Sequence, residues 1–269
     1  MSLDQFYTKP DIAKSCYNDL LKQTHNHQFD IFLEPSAGNG VFYKLLPENK
    51  RQGIDIDPKD DNITEQDFFD YVPVIDKKYI VIGNPPFGKN SSLALKFFNK
   101  AAEFADMIAF ILPRTFKRVS ITNKLSMNFH NIYCKDLPTT PCCFEPVMSA
   151  KCCFMIWEKK SEPREPVIYD KIHPDFEFLK HGPPDDNKQP TVPEGADFVL
   201  KAYGSNCGEI KTENLQNLRP KSWHWIKSNI AVEVLIERFK SLDYSISKDT
   251  VRQDSLGQQE LIYLYKCKL

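Results

Sequence analysis

FLEPSAGNG (32–40) sets an apolar run against an acid, a proline and two glycines. The apolar part belongs to FDIFLEP (29–35), which is short and rich in β-favouring residues and predicts a strand. Gly38 and Gly40 let the backbone turn tightly and pass close to a ligand, and FYKLL (42–46) predicts a helix beyond the turn. A dinucleotide loop carries GxGxxG, whereas here only Gly38 and Gly40 are present, preceded by Glu34 and Pro35. Taken alone, the piece fits a ligand loop or an ordinary Gly-rich strand-to-helix turn.

Working outward, RQGIDID (51–57), KYIVIGNP (78–85), MIAFILP (107–113) and AKCCFMIWE (150–158) read as further strands. Before MIAFILP lies SSLALKFFNKAAEFAD (91–106), where Leu93, Phe97, Ala101 and Phe104 recur at helical spacing behind a serine able to cap. Strands alternating with helical stretches predict an α/β catalytic domain over 1–160, a mostly parallel sheet covered by helices. Residues 161–196 are rich in proline and charge and read as a linker or extended loop. Residues 197–269 predict a small α+β module, with AVEVLIERFK (231–240) as an amphipathic helix and ELIYLYKC (260–267) as a closing strand.

The 269 residues are 41% hydrophobic and 26% charged, a composition of ordinary globular proteins rather than disordered ones. A formal net charge of -1 supplies no global attraction to polyanions, so a nucleic-acid partner must meet a local basic patch. No basic segment followed by an apolar one opens the chain, and no apolar run approaches membrane-spanning length. A cytoplasmic or nuclear location is expected, with neither secretion nor a membrane partner. The eight cysteines then read as reduced thiols. Cys142, Cys143, Cys152 and Cys153 come as adjacent pairs, without the two-residue spacing of zinc knuckles, so small buried side chains are expected and no metal.

GIDIDP (53–58) ends its strand in acids, where Asp55 can accept both hydroxyls of a ribose; strand alternation points Asp57 the other way. After the fourth strand, LPRTFKRVSITNK (112–124) carries Arg114, Lys117, Arg118 and Lys124 with no acid among them. These can hold phosphates, or can form a solvated surface loop. Phe144 in PCCFEP is a possible second aromatic for a bound base. Trp223 and Trp225 beside His224 could stack bases, although such pairs are more often core.

The loop Glu34-Pro35-Ser36-Ala37-Gly38 with Gly40 resembles the cofactor loop of S-adenosylmethionine-dependent methyltransferases. That resemblance implies that Glu34 engages the methionine end of the cofactor while the glycine backbone passes beneath it. It also implies that Asp67 accepts from the cofactor's adenine amino group and that Phe68 lies against its ring, although an exposed acidic loop is an equal account of TEQDFFDY (64–71). DQFYTKPDIAKSC (4–16) is similar to the opening segment of such enzymes, which places Phe6, Tyr7 and Thr8 on the methionine end; a plain helix start is the other reading.

Asn84-Pro85-Pro86-Phe87 resembles the (Asn/Asp/Ser)-Pro-Pro-(Tyr/Phe/Trp) pattern of amino-group methyltransferases. The chemistry explains the residue types. An exocyclic amine conjugated to a ring is a poor nucleophile, and two fixed acceptors, the Asn84 amide oxygen and the Pro85 carbonyl, would draw it toward tetrahedral geometry and aim its lone pair at a methyl group. The prolines fix φ and remove competing donors, and Phe87 offers a face on which a planar base can stack.

The order of these pieces is similar to that in N6-adenine methyltransferases that place target recognition last. The family implies a Rossmann-like fold, S-adenosylmethionine as cofactor, a flipped-out adenine in nucleic acid, no metal and no dedicated general base. DNA is the favoured polymer and RNA the second. A protein-glutamine methyltransferase and an inactive methyltransferase-fold binding subunit are the remaining alternatives.

Overall fold

The computed structural model describes residues 6–24 and 27–268. They form two compact units, 1–166 and 167–269. The first is built on a seven-stranded sheet. Its strands are β1 (Ile31–Glu34), β2 (Arg51–Asp55), β3 (Thr64–Glu65), β4 (Tyr79–Gly83), β5 (Met107–Pro113), β6 (Phe129–Asp136) and β7 (Cys152–Lys159). Their order across the sheet is β3-β2-β1-β4-β5-β7-β6. Neighbours from β3 to β5 run parallel, and β7 lies antiparallel between β5 and β6. This is the Rossmann-like α/β arrangement expected from the sequence.

Every residue of β4 and β5 is buried, as continuous apolar runs covered on both faces require. Helices α1 (Pro10–Thr24) and α2 (Ser92–Ala102) supply cover, α1 burying Ala13, Cys16 and Leu20. Phe97 and Phe98 of α2 meet Phe110, Phe129 and Trp157 in the main core. Burying each such phenylalanine contributes about 1.5–3 kcal/mol. None of the described helices is long and apolar enough to cross a membrane.

The helix expected at FYKLL is only a 3-10 turn, Tyr43–Leu45. Pro47 follows within two residues, and the residue before a proline is pushed out of the helical region; Leu46 accordingly sits at φ −77, ψ 154. Strand β1 has β2 on one side and β4 on the other, so chain order reverses there. In open α/β sheets ligands bind at the carboxyl ends of the strands beside such a reversal. EPSAGNG follows β1 and NPPF follows β4, which puts both loops at that place.

In the second unit, strands Phe176–Phe178, Trp223–Ser228, Phe198–Lys201 and Ile210–Lys211 form a sheet in that spatial order. Helices α3 (Val232–Lys240) and α4 (Gln258–Lys268) contribute Leu235, Phe239, Leu261, Ile262 and Tyr265 to its core. The closing segment is therefore a helix and not the expected strand. Its buried residues recur at helical spacing, and the Glu260 carboxylate accepts the Gly257 N–H at 2.7 Å, tying down the helix start. The expected linker also differs: Phe176 to Phe178 pair with Ser228 to Ile226, because an apolar Phe-Glu-Phe run between proline-rich stretches has an open sheet edge to join.

Candidate active site

Glu34 ends β1 and is buried, with Oε2 accepting the Tyr43 N–H at 2.6 Å. Burial pushes its carboxyl well above the usual range; the Tyr43 and Phe42 N–H groups oppose that shift, and the Asp55 charge adds to it. Pro35 and Ala37 are buried behind it. The loop is closed by main-chain bonds from Ala37 N to Ile54 O at 3.0 Å and from Gly40 N to Ala37 O at 2.7 Å. Asp55 accepts the Gly38 N–H at 2.7 Å through Oδ2 and the Asp57 N–H at 2.8 Å through Oδ1. Gly38 has φ +52, and a Cβ there would stand 2.8 Å from the Tyr7 ring. Only glycine meets both conditions.

Gly83, the last residue of β4, has φ +154, and a Cβ on it would lie 3.3 Å from Glu34 Cγ. This close approach sets Asn84 beside the β1 loop. The Ser36 hydroxyl donates to the Asn84 main-chain carbonyl at 3.4 Å. The Asn84 side-chain nitrogen donates to the Phe6 carbonyl at 3.0 Å. Its Oδ1 is buried and has no hydrogen-bond partner among the described residues, and the same holds for Thr8 Oγ1. An unsatisfied buried acceptor costs about 1–3 kcal/mol. Thr8 Oγ1 and Asn84 Oδ1 lie where the N-terminal segment meets the loops after β1 and β4. Pro85 is buried, Pro86 half-buried, and Phe87 packs partly against the core edge.

Tyr7 and Thr8 form a short strand antiparallel to Phe144 and Glu145, so the N-terminal segment is clamped beside the site. Phe144 itself is buried, which corrects the expectation of a second stacking aromatic: its side chain is enclosed behind the strand it braces. Phe68 is corrected in the same way. Its ring lies in the core against Phe97 at 5.2 Å and Phe104 at 6.3 Å, leaving no face for a ligand. Asp67 is exposed and its Oδ1 accepts the Phe69 N–H at 2.9 Å, capping the turn Phe68–Asp70.

Of the basic run, Arg114 is engaged by protein, donating to Cys152 O at 3.3 Å and Leu137 O at 3.1 Å. Asp136 lies 3.5 Å from Arg114 and 2.5 Å from Lys117. Arg118 is half-buried and Lys124 exposed. Arg114 therefore shapes the surface from below instead of standing ready for a phosphate.

All eight cysteines are free thiols, and burial pushes Cys16 and Cys152 up to about 12. The grouping with metal-ligand chemistry among the described residues is Cys134, Asp136 and Cys153, with the Lys117 ammonium already on the carboxylate. In the second unit Trp225 is core, its N–H donating to Pro220 O at 3.0 Å. His224 is buried, and its pKa is lowered to about 4 by burial despite the opposing bond to Leu256 O.

Sequence reasoning missed the Phe6 carbonyl as the partner of the Asn84 amide, for which no side-chain identity is a signal.

No protein-family model matches the chain, and no curated protein does. Solved structures do. PH1948 from Pyrococcus horikoshii, provisionally classed as an RNA methyltransferase, is 18% identical with a TM-score of 0.44, covering 59% of this chain and 88% of that one. The 23S rRNA methyltransferase ErmE is 18% identical with a TM-score of 0.41, covering 60% and 71%. A dimethyladenosine transferase from Plasmodium falciparum is 18% identical with a TM-score of 0.39, covering 57% and 62%.

Proposed function

We propose that the unit 1–166 is an S-adenosylmethionine-dependent methyltransferase acting on the N6 amine of adenine in nucleic acid, DNA first and RNA second. The observation that carries this reading is the Asn84 amide: its nitrogen is held by Phe6, while its buried oxygen has no partner among the described residues. An acceptor fixed in that way suits an N–H donor, and the Pro85 carbonyl next to it is a second acceptor for the same amine.

Tyr7, Thr8, Glu34, Ser36, Gly38 and Asp55 would hold the cofactor. When bound it supplies an electrophilic methyl on a sulfonium. Asn84 Oδ1 and the Pro85 carbonyl would accept hydrogen bonds from the two amine N–H groups and direct the nitrogen lone pair, and Phe87 would support the ring. The methylated amine is acidic enough to lose its proton to water, so no side-chain base is assigned.

The test is transfer of labelled methyl from S-adenosylmethionine to duplex DNA, single-stranded DNA and RNA, followed by nucleoside analysis. N6-methyladenine is the expected product. Label in a protein extract with none in any polymer overturns the reading.

A further inference from the structure

We propose that the main-chain carbonyl of Phe6 is a positioning group for transfer, fixing the Asn84 amide so that its oxygen, and not its nitrogen, meets the amine. This rests on the reading of Asn84 as the holder of that amine. An asparagine amide has two faces, and turned over it would offer a donor to a donor. A main-chain carbonyl only accepts, so the Phe6 oxygen at 3.0 Å selects the nitrogen face. That carbonyl is fixed in turn by the strand Tyr7–Thr8 paired with Phe144 and Glu145, and by the bond from Lys9 N to Cys143 O at 2.9 Å.

One consequence belongs to this chain. The methyltransferase pattern admits aspartate where Asn84 stands, because a carboxylate also accepts. Here a carboxylate loses the donor and sets oxygen against the Phe6 oxygen, so the site demands an amide. Protonation reverses this: a neutral carboxyl donates its O–H to Phe6 and keeps its carbonyl for the amine.

The titratable groups around this corner include Glu34 from β1, Asp55 from β2, Lys59 after β2, Tyr7 and Lys9 from the N-terminal segment and Glu145 opposite Tyr7. All are retained in Asn84→Ala, whose profile is the reference for Asn84→Asp.

The experiment compares kcat/KM of wild type, Asn84→Asp and Asn84→Ala on a polymer that the wild type methylates, from about pH 5.5 to 8.5. Asn84→Asp is expected about 100-fold below wild type at the alkaline end, with the gap narrowing about tenfold toward the acid end while the Asn84→Ala gap stays constant. Melting supplies a readout independent of turnover. A carboxyl facing a carbonyl has a raised folded-state pKa, so its stabilisation is present at low pH and lost as pH rises, and the melting deficit of Asn84→Asp against wild type widens with pH. Activity within about threefold of wild type at alkaline pH, or a gap independent of pH, overturns the proposal. If the wild type methylates no polymer, the proposed function has failed; the melting arm then decides the Phe6 contact alone, and a deficit independent of pH overturns it.

Discussion

The Asp55 carboxylate accepts the Gly38 N–H at 2.7 Å, so a side chain suited to a ribose also closes the loop that would carry the cofactor. On the proposed reading, structure and binding are joined in one group. Asp55→Ala removes this bond and the one from Asp57 N, and hydrogen bonds to a charged acceptor contribute about 1.5–3 kcal/mol each. The expected result is a lower urea midpoint together with weakened binding of S-adenosylhomocysteine by calorimetry. Weakened binding at unchanged stability would separate the two roles.

Glu34 gives a prediction whose sign follows from burial. Its folded-state pKa is raised chiefly by desolvation, so its contribution to stability is present at low pH and is lost as pH rises through the raised value. Glu34→Gln stays neutral throughout. The variant should therefore gain melting temperature relative to wild type as pH rises above the usual carboxylate range, while binding the cofactor less well. A constant difference across pH would count against a buried, proton-holding Glu34.

Phe68 and Phe87 are both aromatics near the loops, yet they should respond differently. Phe68→Ala opens the core and should cost about 3–5 kcal/mol in denaturant unfolding. Phe87→Ala, at the partly buried edge, should cost less stability and instead lower turnover, with Phe87→Tyr restoring much of it.

Asp136 competes with any phosphate for Lys117. Asp136→Asn removes that competitor, so binding to an oligonucleotide should tighten and its salt dependence should steepen by about one charge. A salt titration by fluorescence anisotropy measures both. Unchanged affinity and slope would remove this surface from the polymer's path.

Much of the first unit was legible because its candidate site sits at strand ends, where a short local stretch carries both the strand and the loop. The positions of Glu34, Asp55 and Asn84 at or just after those ends could be read in this way. Phe68 could not be told from Phe69, since a single turn decides which ring enters the core and which is 37% exposed. The role of Phe144 depends on a pairing with Thr8 that no local pattern announces. The closing helix was hidden because a short apolar run has no distinctive period, and its signal lay in the Gly257–Glu260 bond at the start.

The pairing of Tyr7 and Thr8 with Glu145 and Phe144 has a bearing on how the protein is made. Tyr7 and Thr8 find these partners only once residues 144 and 145 have been synthesised. Until then the Phe6 carbonyl has no fixed place and Asn84 no fixed orientation. A nascent chain stopped before residue 144 can hold much of the parallel sheet and still lack the clamp that orients the Asn84 amide.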